Sequence, residues 1–71
     1  MVDYETEYPV TYRTASRLIE GARERAPSFG FVFLNTIFEE SLKQLTDNED
    51  DHAIIREAAR EYLRKENDQH E

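Results

Sequence analysis

The sequence predicts a mainly α-helical fold: a small three-helix domain with an extended N-terminal arm that can form a short strand. Three observations carry this. Phe31, Leu34, Phe38, Leu42 and Leu45 recur at spacings of three and four, which is one helical stripe. Residues 52–65, HAIIREAAREYLRK, place Ile54, Ile55, Ala58, Ala59, Tyr62 and Leu63 on a single face. Residues 1–9, MVDYETEYP, instead alternate apolar and acidic, the period-two pattern of a strand.

Seventy-one residues make one domain, 1–71, with a small core. Its arm covers 1–12, and 66–71 reads as a frayed tail. Pro9 lacks a donor for a sheet ladder, which suits an edge strand or a strand start. Val10 and Tyr12 continue the alternation against Thr11 and Arg13. Thr14 or Ser16 can then cap a first helix over 14–26, with Leu18, Ile19 and Ala22 as its apolar stripe. Gly21 costs about 1 kcal/mol inside a helix and could allow close approach to Phe31 or Phe33. Ala26-Pro27 ends the helix, because a residue before proline avoids helical geometry.

The second helix spans 28–46, with Ser28 as N-cap and Thr46-Asp47-Asn48 as its stop. It holds all four phenylalanines, and Phe29, Phe33 and Ile37 form a second stripe beside the first. A helix apolar on two sides is expected to be central. A strand over 29–34, with a helix starting after Asn35, is the rival reading, since aromatics, Val and Gly favour it locally. The third helix covers 51–66. Arg56, Arg60 and Arg64 run along one flank, while Glu57 and Glu61 run along the other and pair with Arg60, Arg64 and Lys65.

Net charge is -7, from 16 acidic and nine basic residues. That disfavours broad nucleic-acid binding, which needs a basic face. Arginine outnumbers lysine among the basic residues, and an acidic, arginine-rich chain resembles haloarchaeal proteins. There is no cysteine, hence no disulfide framework and no thiolate chemistry. No apolar run reaches the roughly 20 residues that span a membrane. Acidic residues stand where a signal peptide needs positive charge, so the expected location is cytoplasmic.

Nothing in the chain amounts to a catalytic centre, a metal site or a cofactor site. His52 adjoins an acidic loop and His70 lies in the tail, neither in a context that would hold it in place. Asp47 to Asp51 invites a calcium-loop reading, but His52 stands where that loop needs glycine and Ala58 where it needs glutamate. The stretch reads as a solvated connection that charges the next helix N-terminus. With only Gly21 and Gly30, no glycine-rich phosphate loop exists. An enzyme is not expected.

The helix IIREAAREYLRK resembles the second helix of ribbon–helix–helix proteins. In one register Phe31–Leu34 stands for the family's strand and Ile37–Leu45 for its first helix. In the other, VTYRT is the ribbon, with Thr11 and Arg13 in the base-reading places, Ser16 to Arg25 is the first helix and the Phe-rich helix the second; either register would make the chain resemble a DNA-binding transcriptional regulator or antitoxin. The resemblance implies an obligate dimer whose paired ribbons enter the DNA major groove. Apart from it, the residues point to a non-enzymatic interaction or regulatory protein that acts through helix packing, as an oligomer or with another protein, without membrane and without cofactor. The expected partner-binding residues are Tyr4, Tyr8 and Tyr12 of the arm, Arg13, and the Arg56, Arg60, Arg64 stripe. Aromatic patches commonly mark interfaces, and stacked arginines grip carboxylates or phosphates.

Overall fold

A computed structural model describes residues 3–25 and 30–68, with the side chains of 30–33 outside the description. Four helices form among the described residues: α1 (Tyr4–Glu7), α2 (Pro9–Arg25), α3 (Gly30–Leu45) and α4 (Glu49–Asp68). The domain is mainly α-helical, as the sequence predicts. The expected N-cap at Ser28 and the tail beyond Asp68 lie outside the described residues, as do the side chains of Phe31 and Phe33.

The arm is where structure and expectation part. Residues 4–7 and 9–12 are helical, and no strand forms among the described residues. Pro9 opens α2, where its missing N–H has no intrahelical partner to lose and its fixed φ is already helical. Thr14 and Ser16 are not caps. Their hydroxyls bond back to the carbonyls of Val10 and Arg13, at 3.0 and 2.9 Å, well inside the helix. The chain from Gly30 to Leu34 is also helical, so the strand reading fails there. Both segments that could serve as a ribbon, 10–14 and 31–34, therefore lie within helices.

The central element is α2, not the Phe-rich α3. It packs against both α3 and α4, while α1 rests on α2 and α4. Tyr12, Ala15, Ile19 and Ala22 make its buried stripe. Ala15 and Ile19 join Phe38 and Leu42 of α3 and Ile55, Ala58 and Ala59 of α4 in one cluster. The alanines leave room for α2 and α4 to approach closely. Ile54, Tyr62 and Leu63 pack at the cluster's edge, so the apolar face expected of α4 is the one that docks. Leu34 instead packs on a second cluster of Ala22 and Ile37.

Leu45 departs from its expected stripe and stands 55% exposed. It borders Val10, Thr11 and Thr14 of α2, whose short side chains cannot cover it. The whole is a slab, 37 × 33 × 15 Å.

Polar groups tie the layers. Arg23 grips Glu66 through both guanidinium nitrogens, Nη1 at 2.8 Å, joining the far ends of α2 and α4. Tyr62 donates its hydroxyl to Glu20 Oε1 at 2.7 Å. This bond holds the proton and pushes the Tyr62 phenol up to about 12. The loop at 46–48 is built from caps. Asn48 Oδ1 accepts from the backbone N–H of Asp50 and Asp51, and Thr46 Oγ1 accepts from Asn48 N–H. Glu49, Asp50 and Asp51 then occupy the first turn of α4, where the helix dipole favours anions.

Candidate functional site

Two constructions stand out: the docking of α1, and a cleft between α3 and α4.

The first explains the arm. Asp3 caps α1, its carboxylate accepting from the Thr6 N–H and hydroxyl at 3.4 and 3.1 Å. The Asp3 N–H in turn donates to Glu7 Oε2 at 3.2 Å. Glu61 of α4 then accepts from the backbone N–H groups of Tyr4 and Glu5, at 3.1 and 3.0 Å. A carboxylate 5% exposed thus closes the helix N-terminus from across the fold. Lys65 reaches Glu5 at 2.8 Å, Asp3 at 3.3 Å and Glu61 at 3.6 Å, and stands 5.5 Å above the Tyr12 ring. The bond to Glu5 leads the causes that push the Lys65 ammonium above its ordinary range.

The tyrosines follow from this docking. Tyr12 is buried, edge-on to Tyr62 with ring centres 5.9 Å apart, and desolvation pushes its phenol up. Tyr4 packs on the main cluster and lies 5.6 Å from the ring of Tyr8. Only Tyr8 of the three is well exposed, at 44%. The arm's aromatic surface is therefore largely used within the chain. Arg13 is exposed on α2, a different helix from the one that carries the stripe.

The second construction is the cleft. Both α3 and α4 lean on α2 and meet each other chiefly through side chains, so a groove of about 210 Å³ remains between them. Ile19 of α2, Ala59 of α4 and Phe38 of α3 are its buried lining residues, with Leu34 and Leu63 beside them. Arg56 and Arg60 line the α4 edge, and Asn35 and Glu39 the α3 edge. The sequence stripe thus divides. Arg56 forks onto Glu39, Nε to Oε2 at 2.9 Å and Nη2 to Oε1 at 2.5 Å. That bond holds the Glu39 carboxyl below its ordinary range and the Arg56 guanidinium above its own. Among the described residues Arg60 pairs with Glu57, at 3.3 Å, and its side chain is 78% exposed. Arg64, one turn on, is exposed too.

Two polar residues come as corrections. His52 is buried, not loose, with Nε2 donating to the Thr46 carbonyl at 2.5 Å. Glu61 is buried rather than a flank residue, though its expected partner Lys65 is within reach. A faint signal existed for Glu61. Ala58, Glu61 and Lys65 follow one another at three and four residues, beside the apolar face. No group of three metal-ligating side chains occurs among the described residues, and no helix there is long and apolar enough to cross a membrane. No family, no curated protein and no solved structure matches this chain.

Proposed function

We propose that this is a small, non-enzymatic interaction and regulatory protein of the cytoplasm, acting through helix packing and working as an oligomer. The observation that carries the reading is the cleft between α3 and α4. Its floor is apolar, Arg60, whose exposed side chain pairs with Glu57, lines one edge, and exposed Arg64 follows one turn on along α4. A partner helix laid along it turns apolar residues at i, i+3 or i+4, and i+7 toward Leu34, Phe38 and Leu63. Carboxylates one turn apart on that helix then meet Arg60 and Arg64. The volume suits apolar side chains: a cavity of about 150 Å³ already accepts benzene.

The polar groups support a non-catalytic reading. The ring nitrogen Nε2 of His52 is committed to a carbonyl. Glu61 is committed to closing α1. A general base needs a free position within reach of a substrate proton. The DNA-binding alternative draws little support from helices where its ribbon should be.

A labelled amphipathic peptide of about 15 residues, long enough for a bound helix, tests the reading. One version carries glutamates flanking its leucine face, the other lysines at those positions. Fluorescence anisotropy should show the glutamate version binding at least about tenfold more tightly at low salt, with the order reversed in R60E/R64E. Binding of neither peptide overturns the reading. Duplex DNA binding that Arg13→Ala abolishes would also overturn it, in favour of the ribbon alternative.

A further inference from the structure

The way α1 is attached sets it apart from the other helices. It is four residues long and none of them is buried. The buried residues of the main cluster come from α2, α3 and α4, and α1 adds only Tyr4, packed against its edge. We infer that α1 is a hinged strap. It lifts off α2 and α4 as a unit at Tyr8 and Pro9 while the other three helices stay folded, and in lifting it uncovers the Glu61 carboxylate and the Tyr12 ring.

The hinge follows from proline chemistry. Pro9 has no N–H to offer the Glu5 carbonyl, so helical bonding is interrupted between α1 and α2. Proline also keeps the residue before it out of helical geometry, and Tyr8 stands at φ -132° and ψ 64°. The Tyr8 carbonyl accepts from the Tyr12 N–H at 2.9 Å, a bond that belongs to α2. The Tyr8 N–H donates to the Tyr4 carbonyl at 2.9 Å, a bond that belongs to α1. Rotation about the Tyr8 N–Cα bond therefore swings α1 and breaks neither.

The latch is polar. Glu61 holds the N–H groups of Tyr4 and Glu5, and Lys65 holds the carboxylates of Asp3 and Glu5. The strap brings Asp3, Glu5 and Glu7 to a chain of net charge -7, and Lys65 meets two of the three. Repulsion and the ordering of the segment work against docking, so the strap is closed by a small margin. Beneath it Glu61 and Tyr12 are buried, with Tyr12 edge-on to Tyr62. Lifting α1 thus opens a carboxylate beside two aromatic rings to water. No residue from 3 to 8 lines the α3–α4 cleft, so this device is separate from the function proposed above.

Native-state hydrogen exchange of the full chain, followed by NMR at sub-denaturing urea, tests the strap, with Lys65→Gln alongside. In wild type the amides of Tyr4, Glu5, Thr6, Glu7 and Tyr8 should share one protection factor of about a hundredfold. That is what two bonds to a charged acceptor and a packed ring leave after the ordering cost. It should stay flat in urea, because lifting one short helix exposes little surface. The amides of Ile19, Leu42 and Ala58 should be protected at least about a thousandfold and should lose protection steeply with urea. Lys65→Gln should lower the strap's protection by about three- to tenfold, as expected for its exposed ion pairs. The core should lose the same factor, since both openings start from the closed state, so the ratio of core to strap protection holds. Strap amides that exchange with the core, at one urea slope, would show α1 leaving only on global unfolding and overturn the strap. Strap amides without protection overturn it too, by denying the docking. So does a Lys65→Gln variant in which the core loses protection and the strap does not, because Lys65 then holds α4 rather than α1.

Discussion

Replacing Glu61 with Ala removes the carboxylate that receives the backbone of α1 from across the fold, while Lys65 keeps its ion pairs with Asp3 and Glu5. The Glu61 carboxylate accepts two backbone N–H groups, of Tyr4 and Glu5. Bonds to a charged acceptor contribute about 1.5–3 kcal/mol each, so the gross loss is roughly 3–6 kcal/mol. The full amount is not felt, because α1 can undock and let water take its N–H groups. Undocking also releases the ordering cost of the segment, about 1 kcal/mol per residue. Against that stands the packing of Tyr4 on the core, which is worth up to about 2 kcal/mol. The net loss should be about 2–3 kcal/mol. A domain of 71 residues has roughly 4–11 kcal/mol of stability in all. The melting point should therefore fall by roughly 10–20 °C. Glu61→Gln should cost about half as much, since its amide accepts one N–H and presents a donor to the other. Urea denaturation gives the free energies, and amide exchange at residues 4–7 shows whether α1 has left. An Ala variant within about 0.5 kcal/mol of wild type, with exchange at 4–7 unchanged, would refute the docking argument.

Three further outcomes follow from the packing and the electrostatics. Phe38→Ala should destabilise by about 3–5 kcal/mol in a urea melt, since Phe38 is 7% exposed in the main cluster; a loss under about 1 kcal/mol would mean the phase of α3 is wrong. Gly21→Ala should stabilise by about 0.5–1 kcal/mol, because a Cβ there meets no described atom within 4 Å; destabilisation would reveal a close neighbour. The Tyr62 phenol should titrate near 12 by ultraviolet difference absorbance, and Glu20→Gln should bring it down toward the ordinary 10.0. Its folded value is the raised one, so the associated stability is complete below about pH 10 and is lost as pH climbs toward 12. A melting point flat across that window, or a Tyr62 titration unmoved in the Glu20 variant, would count against the bond.

How much of this the sequence showed depends on where each cause resides. Residues 52–65 were legible because one face is apolar and the other charged, so local pattern and tertiary packing agree. For 9–14 they disagree: PVTYRT carries β-branched residues and a proline, and reads locally as an edge strand. Packing decides it instead, through the contact of Tyr12 with Tyr62 and Lys65. The short α1 has a local cap in Asp3, Thr6 and Glu7, but its docking could not be read from a local window. Its holder, Glu61, is 57 residues from Tyr4 along the chain. Arg56 shows the same limit: the stripe was visible, but its pairing with Glu39 requires knowing how α3 lies beside α4. The phenylalanines of the 28–46 helix made it look central, whereas the alanines of α2 are what let two neighbours pack against one helix. The cleft follows from that arrangement, and only its arginine edge was readable in advance.

The central claim is that the α3–α4 cleft is the working surface, and shift mapping tests it most directly. Uniformly labelled protein is titrated with the glutamate-flanked peptide, and backbone amide shifts are followed. The changes should concentrate at Leu34, Asn35, Phe38, Ala59, Arg60 and Leu63, and leave Val10 and Leu45 still. Changes gathered at Val10, Leu45 and Ile54, or spread along the arm at Tyr4 and Tyr8, would contradict the assignment of function to the cleft.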